Sequence, residues 1–188
     1  MSIQKLFVAN RGEIAVRVVR AARDLGWGTV AVASSDDLAS LHTRVADELV
    51  ALEAKGARAY LDVEAIVAAA ASRGCDALHP GYGFLAENPA FATAVEAAGL
   101  TFVGPTPEML QLFGDKVAAR DLARRCGVPV LAGTDGPTDL ETATAFFHSL
   151  GDGAAVMVKA LAGGGGRGMR PVTDVAQLAE AMERCRSE

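Results

Sequence analysis

Short apolar segments alternate with amphipathic segments along the first 110 residues or so of the chain. The short segments are bounded by polar or glycine residues, which is typical of strands, and they cover residues 5–10, 29–33, 48–52, 76–79 and 101–103. Between them, apolar positions at helical spacing predict helices over residues 12–25, from Asp62 onward, over residues 89–98 and from Thr106 onward. This alternation predicts βαβ units and an open parallel sheet with both faces covered.

The first predicted helix has two distinct faces. Its apolar stripe consists of Ala15, Val18, Val19, Ala22 and Leu25. Its polar stripe consists of Glu13, Arg17, Arg20 and Asp24. A polar stripe of this kind is usually a solvated face, but mixed charges also suit a self-complementary dimer surface. Residues 36–46 are polar and are predicted to form a loop.

The second part of the chain has a different pattern, which indicates an α+β unit. A helix is predicted over residues 115–126, with Ala119, Leu122, Ala123 and Cys126 on its inner face. Thr138 and Glu141 form a capping box for a helix over residues 139–150. Strands are predicted over residues 154–161 and 169–172, and a last helix begins at Asp174, with Val175, Leu178, Ala179 and Met182 aligned. We therefore expect one domain over residues 1–114, a helical linker over residues 115–129, and a second domain over residues 130–188 that is too small to be complete.

Composition excludes several classes of protein. The 188 residues are 51% hydrophobic and carry a formal net charge of −5, which suits a globular core and argues against general nucleic-acid binding. No apolar stretch approaches the roughly 20 residues that span a bilayer, and no signal-peptide pattern is present. The three cysteines are widely separated, which favours the reducing cytoplasm over a disulfide framework or zinc cluster.

The four consecutive glycines at residues 163–166, followed by Arg167 and Gly168, are the most informative local feature. Such a run leaves backbone N–H groups unshielded, so it can fold over a polyphosphate and donate hydrogen bonds. Lys159, expected to be buried on the preceding strand, and Arg167 would add positive charge. A flexible surface linker is the alternative interpretation, and the absence of Gly-Lys-Ser/Thr excludes a Walker A loop.

Two further segments are candidates for chemistry. Lys116 in Gly114-Asp115-Lys116 falls at a predicted helix start, where the helix dipole disfavours cations, so an anionic ligand or simple solvation would explain it. His79-Pro80-Gly81-Tyr82-Gly83-Phe84-Leu85, with Glu87-Asn88 after it, follows a strand at the edge where open α/β sheets bind ligands. This turn is either a ligand-contacting segment that exposes Tyr82 or a purely structural turn.

Other chemistries lack support in the sequence. Asn10-Arg11-Gly12-Glu13 follows the first strand without Gly-x-Gly-x-x-Gly, so nicotinamide or flavin binding at that turn is rejected. No Ser-His-Asp or Cys-His arrangement and no metal-ligand spacing stands out.

Four segments, in this order, resemble the N-terminal part of the biotin carboxylase family. They are Asn10-Arg11-Gly12-Glu13-Ile14-Ala15, the turn from His79 to Leu85 with Glu87-Asn88, Gly114-Asp115-Lys116, and Lys159-Ala160 leading to residues 163–170. The resemblance extends over essentially the whole chain. It implies a pre-ATP-grasp (Rossmann-like) domain followed by the first part of an ATP-grasp lid subdomain. Leu161 and Ala162 depart from the polar residue and glycine found in many relatives, which should stiffen the loop slightly.

The resemblance also implies roles for individual residues. The residues that would bind the nucleotide are Lys116, Lys159, Gly164, Gly165, Gly166, Arg167, Gly168 and Met169, the last of which would line the adenine pocket. The turn beside biotin would contain His79, Tyr82, Gly83 and Glu87. The dimer surface would contain Arg17, Arg20 and Asp24. The family's metal-binding glutamates and its bicarbonate- and biotin-binding arginines are expected beyond residue 188, so we expect this polypeptide alone to be inactive.

The family's reaction implies the cofactors and partners. The cofactors are ATP with Mg²⁺ (Mn²⁺ is a possible substitute), together with bicarbonate and biotin on a carrier domain. The partners are the biotin carboxyl carrier, a carboxyltransferase and a second copy of the chain. Two alternatives stay open at this point: a non-catalytic dimerisation module, and another ATP-grasp ligase such as a carbamoyl-phosphate synthase.

Overall fold

The computed structural model describes residues 2–160 and 168–187 and divides the chain into two compact units, residues 1–114 and residues 115–188. Unit 1 contains a five-stranded parallel sheet of order β3-β2-β1-β4-β5. Its strands are β1 (Lys5–Val8), β2 (Gly28–Ser34), β3 (Glu48–Leu52), β4 (Ala77–His79) and β5 (Thr101–Phe102). Its helices are α1 (Gly12–Asp24), α2 (Leu41–Val45), α3 (Val63–Ser72), α4 (Pro89–Ala97) and α5 (Pro107–Gly114).

The sheet of unit 1 is buried on both faces, as its apolar strands require. One face packs Phe7, Val30 and Leu78 against the helices α3 and α4. The other face packs Leu6 and Val8 against the apolar stripe of α1. The parallel sheet and the alternation of strands with helices expected from the sequence are confirmed.

Unit 2 has much less buried apolar surface. It contains α6 (Lys116–Arg125), α7 (Leu140–Ser149), β6 (Val156–Lys159), β7 (Met169–Val172) and α8 (Leu178–Ser187), and β6 and β7 pair antiparallel. Its described core is one small cluster built on Val172, Leu178 and Ala181. Neither α6 nor α7 has a fully buried residue.

Two predictions about segments near α1 and α2 were wrong. Leu25 is 62% exposed, because α1 ends at Asp24 and the chain turns away at Gly26, where φ is +77°. Residues 41–45 form α2 rather than a loop. Their polarity is misleading, because the His42 ring and the Thr43 hydroxyl are buried and hydrogen-bonded to backbone carbonyls.

Four predictions about unit 2 were also wrong. The Thr138 hydroxyl contacts Thr134 and Gly136, and the carboxylate of Asp139 instead caps α7 by accepting from Thr142 N at 2.8 Å. Cys126 is exposed because it lies past the end of α6. Lys159 is exposed because the thin core leaves that face of β6 uncovered. Ala179 is exposed, since a 3₁₀ turn over Val175–Gln177 shifts the helical phase and turns Ala181 and Cys185 inward.

Candidate functional site

The first candidate site lies at the carboxyl edge of the sheet in unit 1, where β1 and β4 are neighbours. After β1 the chain continues through α1 to β2, on one side of this strand pair. After β4 it continues through the turn from His79 to Leu85 and α4 to β5, on the other side, so the two connections diverge. In open α/β sheets the crevice at such a switch point is the usual ligand site.

Asn10 joins the ends of these two strands. Its side chain is 2% exposed, and its Nδ2 donates to the carbonyls of Pro80 at 2.7 Å and Tyr82 at 3.0 Å. Its Oδ1 accepts from Arg11 N at 2.9 Å. Both ends of the amide are therefore satisfied, as a buried polar side chain requires.

The turn is also fixed by its own residues. His79 Nδ1 accepts a hydrogen bond from Gly81 N at 2.9 Å, and burial lowers the pKa of this imidazole. That acceptor role requires a neutral ring with Nδ1 unprotonated. Gly81 has φ of +68°, and a Cβ atom there would lie 2.5 Å from Asn10 Nδ2. Only glycine therefore fits this position without a shift.

Tyr82 presents its ring to solvent from this turn and is 62% exposed. Its hydroxyl donates to Glu13 Oε2 at 3.0 Å, and this hydrogen bond, with the negative charge of Glu13, raises the pKa of Tyr82. Gly83 and Glu87 are exposed as well. Glu13 begins the polar stripe of α1, whose other members Arg17, Arg20 and Asp24 are all exposed.

An aromatic stack supports the end of the turn. Phe84 has a left-handed backbone with φ of +44°, which is uncommon for a residue with a large side chain. Its ring stacks on Tyr60 with centroids 5.1 Å apart. The Arg11 guanidinium lies 5.6 Å from the Phe84 centroid and 5.4 Å from that of Tyr60, within the range of cation–π attraction.

The sequence patterns did not predict that Asn10, Arg11 and Tyr60 organise this site. A usable signal did exist for Asn10, because its polar amide directly follows an apolar strand, at the strand end where open α/β sheets bind their ligands. The contribution of Tyr60 had no comparable signal, since it lies in a 3₁₀ helix over Gly56–Leu61 that the pattern did not predict.

The second candidate site lies in unit 2. Lys116 is the first residue of α6, and Asp115 caps that helix by accepting from Val117 N and Ala118 N. Lys116 Nζ reaches the carbonyl of Ala160 at 3.4 Å, directly after β6. The structure thus brings Lys116 beside the strand that carries Lys159.

Lys159 pairs with Met169 across the hairpin, so their side chains lie on the same face. Both residues are exposed. Ala160 N donates to Gly168 O at 2.7 Å, and Gly168 has φ of +65°, with Ala160 Cβ only 2.7 Å from where a Cβ would lie. Gly164, Gly165, Gly166 and Arg167 lie outside the described residues.

Metal-ligand clusters and membrane-spanning helices are both absent from the part of the chain that the structure describes. Within residues 2–160 and 168–187, no group of three His, Cys, Asp or Glu side chains could hold a metal ion. In the same ranges, no helix combines the length and the apolar character needed to cross a bilayer.

Comparison with known proteins agrees with this architecture. Residues 115–188 match the carbamoyl-phosphate synthase L chain, ATP binding domain. A biotin carboxylase of Pseudomonas aeruginosa is 49% identical over 99% of this chain and 42% of its own length. A pyruvate carboxylase of Aspergillus niger is 48% identical over 100% of this chain and 16% of its own length. The chain thus spans less than half of these relatives.

Solved structures give the same result. The biotin carboxylase domain dimer of Hydrogenobacter thermophilus 2-oxoglutarate carboxylase, in complex with MgADP, ADP and bicarbonate, has a TM-score of 0.94 at 40% identity. The match covers 100% of this chain and 41% of that one. Campylobacter jejuni biotin carboxylase in a β-γ-ATP complex has a TM-score of 0.94 at 38% identity, covering 100% of this chain and 42% of that one.

These neighbours confirm the expected fold class, an open parallel α/β domain followed by part of an ATP-grasp α+β domain. The match to the family described as biotin carboxylase, N-terminal domain, extends over residues 2–110. It includes the strand-end site, which is the first candidate site, formed by Asn10 and the turn from His79 to Leu85. The chain therefore belongs to the biotin carboxylase N-terminal domain family.

Proposed function

We propose that the chain is the N-terminal part of the biotin carboxylase component of a biotin-dependent carboxylase. In the proposed reaction a bicarbonate oxygen attacks the γ-phosphorus of ATP, and the bond from that phosphorus to the ADP oxygen breaks. This gives ADP and carboxyphosphate. The carboxyl carbon then bonds to the ureido nitrogen of biotin, its bond to the phosphate oxygen breaks, and the nitrogen's proton leaves with the phosphate.

The position of Lys116 beside the strand that leads into the glycine run carries this proposal. Lys116 and Lys159 place two ammonium groups near the entry to a segment rich in backbone N–H donors. Phosphoryl transfer depends mainly on positioning and on neutralising negative charge, and these groups suit the phosphates of ATP. Gly164, Gly165, Gly166, Arg167 and Gly168 would donate to the phosphates, and Met169, on the same face as Lys159, would line the adenine pocket.

Mg²⁺, or Mn²⁺ in its place, would neutralise phosphate charge when bound. Among residues 2–160 and 168–187, no group of three His, Cys, Asp or Glu side chains could hold it.

The strand-end site of unit 1 would contact biotin. Tyr82 and Gly83 are exposed on a turn whose backbone is fixed by Asn10 and His79, which suits a surface that meets a carrier-bound substrate. His79 would act by holding the turn, and Glu87 would flank it. The exposed Arg17, Arg20 and Asp24 of α1 would form a contact between two copies of the chain. The biotin carboxyl carrier and a carboxyltransferase would be the other partners.

Titration calorimetry with Mg-ATP on the complete carboxylase tests the nucleotide site. We expect Lys116→Ala and Lys159→Ala each to raise the Kd for ATP at least about tenfold, since each removes a charge-assisted contact. Lys55→Ala, which removes an exposed lysine from unit 1, is the matched control and should leave the Kd unchanged. Unchanged affinity in both site variants would remove the ATP-site assignment.

Turnover tests the reaction class. The complete enzyme should cleave ATP in a reaction that depends on bicarbonate and is accelerated by biotin. An enzyme that binds Mg-ATP but shows no response to biotin would be a different ATP-grasp ligase.

A further inference from the structure

We infer that Asn10 is a positioning residue for biotin, because its amide sets the backbone shape of the turn that carries Tyr82 and Gly83. The inference rests on the proposed function of that turn. Asn10 itself would not touch the substrate, since it is 2% exposed beneath the turn.

The carboxamide holds the turn on both sides of the Gly81–Tyr82 pair. Nδ2 donates one hydrogen to Pro80 O at 2.7 Å and reaches Tyr82 O at 3.0 Å. Gly81 and Tyr82 lie between these two carbonyls, so one donor group fixes the peptide planes on either side of this residue pair. A buried carbonyl that loses its donor is destabilised, and the backbone would rotate to regain a partner.

The N–H of Gly81 is also held by a side chain, that of His79. Gly81 N donates to His79 Nδ1 at 2.9 Å, so the peptide plane between Pro80 and Gly81 is held through both its N–H and its carbonyl. The Asn10 side chain also packs so closely on Gly81 that an added Cβ would lie 2.5 to 2.8 Å from its atoms. The peptide planes between Pro80 and Gly81 and between Tyr82 and Gly83 therefore have little freedom to rotate.

Aspartate at position 10 isolates the donor function. Asn10→Asp keeps the side-chain size and keeps an oxygen that can accept from Arg11 N, so the start of α1 retains that hydrogen bond. It replaces the donor with a carboxylate oxygen facing two carbonyl oxygens. The turn would then be pushed away from Asn10 while the strands beneath it keep their pairing.

A stability-matched control lies at the opposite edge of the same sheet. Thr29, at the start of β2, is fully buried, and its hydroxyl donates to Asp47 Oδ2 at 2.6 Å. The hydroxyl also accepts from Asp47 N at 3.1 Å, so Thr29→Val removes two hydrogen bonds with little change of shape, at the opposite end of the strands from the turn.

The experiment uses the complete carboxylase with free D-biotin as substrate. Two rates are measured: biotin-dependent ATP cleavage across a biotin titration, and bicarbonate-dependent ATP cleavage without biotin. For Asn10→Asp we expect kcat/KM for biotin to fall at least about tenfold, mostly through KM, while the biotin-free rate stays within about twofold. Thr29→Val should change neither rate by more than about twofold, and Asn10→Ser, which keeps one donor, should lie between Asn10→Asp and wild type.

Failure of the role inferred for Asn10 and failure of the proposed biotin carboxylase function give different kinetic results. Wild-type biotin kinetics in Asn10→Asp, or an equal loss in both rates, would overturn the inference, because the amide would then be unimportant or only structural. If Asn10→Asp does not fold, Asn10→Ser is judged by the same criterion. A wild-type enzyme that cleaves ATP without any biotin response would overturn the proposed function, and the inference with it.

Discussion

The two units of the chain hold their candidate residues in opposite ways. In unit 1 the turn from His79 to Leu85 is fixed by a buried amide, an imidazole and an aromatic stack, all set on a sheet buried on both faces. In unit 2, Lys159 and Met169 lie on the exposed face of a two-stranded hairpin above a small apolar cluster. Unit 1 therefore preorganises its site, whereas unit 2 offers cationic groups on an exposed surface.

This difference suits the two proposed roles. A turn that presents biotin to a reactive intermediate benefits from a fixed backbone, because small displacements cost rate. A nucleotide site must release its product after each turnover, so a less stable unit is suitable there.

Paired core truncations would test the difference most strongly. Phe91→Ala removes a fully buried ring that packs edge-on against Phe102 and should lower the free energy of unfolding by about 3–5 kcal/mol. Leu178→Ala in the smaller cluster should cost about 2 kcal/mol, because a thin core collapses more easily around the cavity. Urea denaturation can assign each loss, since fluorescence of the single tryptophan, Trp27, reports on unit 1 and far-ultraviolet circular dichroism reports on both units.

The two variants should differ in whether the urea midpoint of the Trp27 fluorescence transition shifts. Phe91→Ala should shift the midpoint of the Trp27 transition, and Leu178→Ala should leave that midpoint unchanged. If Leu178→Ala shifts it as far as Phe91→Ala does, the two units unfold together and the contrast in stability disappears.

Two glycines of the same turn test how tightly the turn is held. Gly81 and Gly83 both have φ of +68°, but only Gly81 has atoms within 4 Å of an added Cβ. Gly83→Ala should therefore cost about 1 kcal/mol from backbone strain, and Gly81→Ala about 2–3 kcal/mol, since it adds a clash with Asn10. Thermal or urea denaturation measures both, and equal losses would mean that the turn can move away from Asn10.

Protonation of His79 gives the smallest effect. Burial lowers the pKa of His79 from its ordinary value of 6.5, so its stabilising contribution is present above pH 6.5 and is lost as the pH falls through the lower folded value. Protonation at Nδ1 would also break the hydrogen bond from Gly81 N, a loss of about 1 kcal/mol.

His79→Asn supplies a matched comparison, because its side-chain oxygen can accept from Gly81 N without titrating. The variant should lose less stability than wild type between pH 7.5 and pH 5.5, a range chosen to bracket about 6.5. Burial lowers the pKa of His42 too, so the difference between the two proteins is the quantity to compare. Parallel pH profiles would show that His79 does not hold the turn.

The fold of unit 1 was largely predictable from its sequence. Apolar runs and helical stripes predicted the five strands and the helices α1, α3, α4 and α5, because those elements bury long, regular patterns. The short helix α2 was missed, since five residues cannot show a helical period and two of them bury polar side chains through backbone hydrogen bonds. Leu25 was misplaced because a stripe carries no information about where Gly26 turns the chain.

In unit 2 the weaker pattern led to more errors. Thr138 and Asp139 are both good caps, and sequence alone could not show that the Thr138 hydroxyl was already occupied by Thr134 and Gly136. The exposure of Lys159 depended on how much protein covers β6, which a local pattern cannot report. The division into a domain over residues 1–114, a linker over residues 115–129 and a second domain stays a prediction.

The amino-acid sequence by itself determined the parallel sheet, the order of the strands and helices along the chain, and the motifs that identify the family, because each depends on residues close together in the chain. Tertiary structure alone decided that Asn10 lies beneath Gly81 and that Lys116 reaches the carbonyl of Ala160. These contacts join residues 70 and 44 positions apart. Their geometry arises only when the strands pair and the helices pack, so no local sequence pattern encodes it.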